Sequence, residues 1–72
     1  MRVPKFDIFH GRYGETDAVW VEAVEGLAFA CQRMYALATE RPGPYFVFST
    51  ASHEVLDSMD TTPLAQAKSN VA

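Results

Sequence analysis

At 72 residues the chain has room for one domain and no more, because a chain of this size buries only about 60% of the surface its unfolded form exposes. Hydrophobic residues make up 49% of it, which excludes disorder for want of apolar surface. The net charge of -3 sets the average field against phosphate backbones and anionic lipid headgroups, so neither nucleic acid nor a membrane is an expected partner.

Small secreted domains usually reinforce a thin core with disulfides, but Cys31 is the single cysteine and has no partner within the chain. No basic segment followed by an apolar stretch opens the sequence, and no apolar run approaches the roughly 20 residues a membrane span needs. The expected setting is reducing and cytoplasmic.

From Val3 to His10, Phe6, Ile8 and His10 alternate with Asp7 and Phe9, and this period of two predicts a first strand. Gly11 to Thr16 combines two glycines with polar residues and predicts a hairpin connection. Asp17 to Val24 reads two ways. As a strand it sets Val19, Val21 and Ala23 on one face and Trp20, Glu22 and Val24 on the other. As a helix it extends the spacing Trp20, Ala23, Leu27, Ala30, Met34, Leu37, with Thr16 or Asp17 as N-cap. The strand is favoured, since β-formers dominate and Gly26 would cost about 1 kcal/mol inside one long helix.

Leu27 to Arg41 carries Leu27, Ala30, Cys31, Met34, Leu37 and Ala38 on one helical stripe, and Pro42-Gly43-Pro44 ends it. Fifteen residues at about 1.5 Å each span roughly 22 Å, the length of a seven-residue strand, so this helix can cross a sheet once. Tyr45 to Thr50 predicts a third strand, Ala51 to Glu54 an interruption, and Val55 to Met59 a short final strand. Thr62-Pro63 suits the start of a last short helix to about Lys68, or a frayed tail, so residues 1–60 are expected as the domain and 61–72 as its appendage.

The predicted class is α+β, with order ββαββ and a four-stranded, mainly antiparallel sheet crossed on one face by one helix. If the crossover is right-handed, strands two and three run parallel with strand one between them, antiparallel to both, in the order 2-1-3-4. The run from Trp20 to Leu27, then Ala30, Arg33 and Met34, then Pro42 to Phe48, resembles a group of small uncharacterised bacterial proteins with the same element order. The resemblance implies the fold and no chemistry.

Candidate chemistry is sparse. Gly11-Arg12-Tyr13-Gly14 has the form of the loop with which KH domains clamp a nucleic-acid backbone, but a glycine-bearing hairpin turn accounts for it, because in those domains the loop joins two helices. His53-Glu54-x-x-Asp57 lacks the second histidine of a helical zinc motif and sits where a turn is predicted, so no metal is expected. Cys31 with His10 or His53 could form a nucleophile and base, yet its place on the apolar stripe predicts packing. No elbow motif surrounds Ser49, Thr50 or Ser52, and no pair of the nine carboxylates is marked as acid and base. No catalytic activity and no cofactor are expected. His10, Arg12 and Tyr13 form a weak candidate ligand loop at a subunit boundary.

One feature goes further. A single helix covers one face of a four-stranded sheet, yet both faces carry large apolar residues. With Phe6, Ile8, Val19 and Val21 toward the helix, Phe9, Trp20, Val24, Tyr45 and Val47 become the candidate interface on the other face. The expected function is a non-catalytic interaction module, a homodimer or a binder of another protein through this face. The alternative is a single-stranded nucleic-acid binder that stacks bases on the sheet aromatics, with Arg2, Lys5 and Arg12 supplying charge.

Overall fold

The computed structural model describes residues 3–63. β1 (Lys5–His10) and β2 (Val19–Glu25) form one hairpin, α1 (Leu27–Glu40) crosses the sheet, and β3 (Pro44–Ser49) and β4 (Glu54–Asp60) form a second hairpin. The strand order is β2-β1-β3-β4, and every neighbouring pair is antiparallel. β2 and β3 are both antiparallel to β1 and therefore run parallel to each other, joined by α1. This is the ββαββ architecture and strand order predicted from the sequence. The candidate helix from Thr62-Pro63 to Lys68 lies almost wholly beyond residue 63, outside the described residues.

The ambiguous segment is a strand, and Gly26 is the reason it does not run into α1. Gly26 has φ of 88° and ψ of 130°, a conformation that side chains bearing Cβ rarely adopt. Its N–H donates to the Pro4 carbonyl at 2.9 Å, and its own carbonyl accepts from the Ala30 N–H at 2.9 Å. One residue thus ties the chain to the sheet and opens the helix. No side chain caps the helix there, its first turn has no acidic residue and its last has no basic one. Packing, more than local preference, holds α1 in place.

That packing is compact. Ala30, Met34 and Ala38 lie against Phe6, Ile8, Tyr45 and Val47, with Val21, Val24, Leu37 and Met59 at the margin. Ile8 and Val47, opposite each other on β1 and β3, are fully buried, each contributing about 1.5–3 kcal/mol. Cys31 is only half-buried and Leu27 is exposed, so the inner stripe of α1 is narrower than its periodicity predicted. At the far end, the Tyr45 hydroxyl donates to the Arg41 carbonyl at 2.7 Å and the Thr61 hydroxyl to the Ala38 carbonyl at 2.7 Å, closing carbonyls that a helix C-terminus leaves unpaired. Thr61 also exchanges hydrogen bonds with Gly43, which fixes the chain just past β4.

Two bulges set which side chains face where. Ile8 pairs with Glu22 and Phe9 with Trp20, which leaves Val21 unpaired; a second shift lies between Val47 and Phe48, opposite Leu56. An extra residue on one strand reverses the alternation beyond it. Val24 therefore pairs with Phe6 on the helix side, although strict alternation from Val19 had sent it to the opposite face.

Candidate functional site

The face away from α1 carries an aromatic group. Trp20, Phe9 and Phe46 occupy successive strands at the same level of the sheet, since Phe9 pairs with Trp20 on one side and Phe46 on the other. The Phe9 and Phe46 rings stack at 4.9 Å between centroids, and the Phe48 ring meets Phe9 edge-on at 6.4 Å. Such arrangements match the ring quadrupole, negative on the face and positive at the edge.

Tyr13 comes from the β1–β2 connection and lies over this group, edge-on to Phe46 at 5.7 Å and stacked on Phe48 at 6.0 Å. His53 approaches Phe48 from the β3–β4 turn at 6.4 Å. The cover is partial: Phe46 is only 5% exposed, whereas Trp20 remains 56% exposed and Tyr13 63%. The Trp20 indole N–H donates to Asp7 at 3.3 Å, which orients the ring beside its neighbour on β1.

The connection that delivers Tyr13 depends on Gly11. Its φ is 137°, its N–H donates to the Pro44 carbonyl at 2.8 Å, and a Cβ there would lie 2.7 Å from the Ala18 backbone. The glycine pair thus acts as the hairpin turn expected of it. Arg12 forms an ion pair with Asp60 at 2.6 Å. The Thr62 hydroxyl and backbone N–H also donate to Asp60, and they, more than Arg12, hold its carboxyl below the usual carboxylate range. Between this ion pair, Tyr13 and Phe46 lies a shallow groove of about 420 Å³, floored by Val55 and Ser58.

Of the five predicted interface residues, Phe9 and Trp20 belong to the open face. Val24, Tyr45 and Val47 do not: Val24 is turned under by the bulge, and the alternate set of β3 faces the helix, where the Tyr45 hydroxyl meets Arg41. Phe46 and Phe48 take their place. Alternation indicated that one set of β3 would face outward but gave no parity, and the hydroxyl that closes α1 was the available clue.

The proposed ligand loop is divided. Tyr13 belongs to the open face, Arg12 is engaged with Asp60, and His10 lies on the helix side, its ring stacked on Tyr45 at 4.5 Å. These three do not form one site. Cys31 has burial, then a hydrogen bond and the charge of Asp57, pushing its thiol above the ordinary value, so it stays protonated at neutral pH and is a poor nucleophile. His53 sits in the turn with φ of 58°, and among the described residues no three His, Cys, Asp or Glu side chains group as metal ligands.

The described residues thus form an α+β domain with a partly covered aromatic surface on one face of its sheet. No family model matches the chain, and comparison with curated proteins and with solved structures found no match. Among the described residues, no helix is long and apolar enough to cross a membrane.

Proposed function

We propose that the chain is a non-catalytic interaction module whose contact surface is the open, aromatic face of its sheet. The observation that carries this reading is Trp20, a large indole 56% exposed at the end of a row of aromatic rings that are themselves largely covered. A tryptophan can bury about 150–250 Å², and aromatics with exposed area beside well-packed neighbours are what interfaces use as anchors. The Asp7 hydrogen bond supports the same reading, because it holds the ring in one orientation and lowers the entropy lost on contact.

A second copy of the chain or another protein would complete the surface. Nucleic acid is disfavoured: of the basic residues near this face, Arg12 is engaged with Asp60, and Lys5 stands opposite the negative Glu25 on a chain of net charge -3. The single cysteine supports a reducing, cytoplasmic setting, and the sequence resemblance supports a bacterial one.

Replacing Trp20 with Glu tests the proposal. The exposed position predicts an unchanged circular dichroism spectrum and a marked loss of self-association or partner binding, read by light scattering coupled to size exclusion over a wide concentration range. Equal association by wild type and W20E, by that measure and in binding assays, rules the reading out.

A further inference from the structure

Among the described residues the sheet ends in two unpaired edges, β2 and β4, and each offers a row of backbone donors and acceptors. They differ in charge. β4 carries Glu54, Asp57 and Asp60. If two β4 strands paired antiparallel about Asp57, that residue would face the partner's Asp57 and Glu54 would face the partner's Asp60. Like charges directly opposite destabilise a sheet, so this register is closed to a second copy, although Arg12 answers Asp60 within the chain.

The β2 edge has one of its two carboxylates answered within the chain. Glu22 accepts from Arg33 at 3.1 Å, and Glu25 stands opposite Lys5 in the β1–β2 register. It is also apolar on both sides. Trp20 is 56% exposed on the open face, while on the helix side Val19 is 60% exposed and Phe29 66%, the latter beside a groove of about 390 Å³ between α1 and the strand. An edge with free hydrogen-bonding groups, one carboxylate held in an ion pair and apolar flanks complements itself in a register that keeps the carboxylates apart.

We infer that β2 is the seam of a two-fold homodimer, in which the β2 strands of two copies pair antiparallel about Ala23 and form one eight-stranded sheet. The inference deepens the reading of the open face and rests on it. In this register Glu22 faces the partner's Val24 and no carboxylate faces another, whereas pairing about Glu22 would set two carboxylates against each other. The regular stretch past the Val21 bulge supplies the ladder. Trp20 and Phe29 flank the seam on opposite faces, so each copy buries apolar surface on both sides of the joint. A two-fold pairing uses each β2 edge once, so this seam closes on itself.

The test uses the full chain and sedimentation velocity. Ala23 is exposed and mid-strand, so A23K and A23E should each keep the wild-type circular dichroism spectrum. Each alone brings like charges together at the two-fold and should weaken the dimer by roughly tenfold or more. An equimolar mixture of the two should recover a heterodimer, because a lysine then faces a glutamate. A mixture that stays monomeric, single variants that dimerise as well as wild type, or a wild type monomeric at every concentration overturns the inference. If W20E abolishes association while A23K does not, the open face remains the contact and only the β2 seam is lost.

Discussion

Asp60 closes the β4 end of the groove with three interactions, two from Thr62 and one from Arg12, and each favours the ionised carboxylate. Its folded pKa lies below the ordinary value, so the stability it contributes is present above the ordinary carboxylate pKa and lost as pH falls through the lowered folded one. Denaturation midpoints measured from neutral pH down to about pH 2 should therefore fall less for Asp60→Asn than for wild type. Equal acid sensitivity would mean that this carboxyl contributes nothing to the acid limb. The sequence placed Asp60 at the end of the domain but not beside these partners, because Arg12 lies 48 residues away and only the fold brings the two together. Phe9 and Trp20 were legible because both precede the extra residue in β2 or lie on the unbulged β1; Val24 lies beyond it and was misplaced.

At the scale of elements, the N-terminal boundary of α1, where the sequence read two ways and favoured the strand, has a sharp consequence. Gly26 combines a positive φ with a close approach, since a Cβ there would lie 3.2 Å from the Phe29 ring. Gly26→Ala should destabilise by about 1–3 kcal/mol, the cost of holding a residue with a Cβ in a sparsely populated backbone region. In one continuous helix the same change would stabilise by up to about 1 kcal/mol, so a urea melt separates the two by sign. The segment types followed from local chemistry: β-branched and aromatic residues in the strands, a 3.6-residue stripe in the helix, glycine and proline between them. Single-residue insertions leave no such mark, which is why the bulges at Val21 and Leu56 were not read. The outward parity of β3 was equally hidden, because Tyr45, Phe46, Val47 and Phe48 are all strong β-formers.

For the whole molecule, the physics of a two-layer fold made an uncovered sheet face predictable, and the structure answers half of that requirement from within. Tyr13 and His53 fold onto Phe46 and Phe48 from the two hairpin turns, leaving uncovered area concentrated toward Trp20 and the β2 edge. That distribution could not be read from the sequence, since it depends on where two loops return. Amide and indole NMR shifts recorded over a hundredfold concentration range test the central claim most directly. Concentration-dependent shifts are predicted at the Trp20 indole, Val19, Ala23 and Tyr13, with Ala30, Met34 and Val47 unmoved beneath the helix. Shifts centred on the outer face of α1 around Tyr35, with the Trp20 indole unmoved, would contradict it.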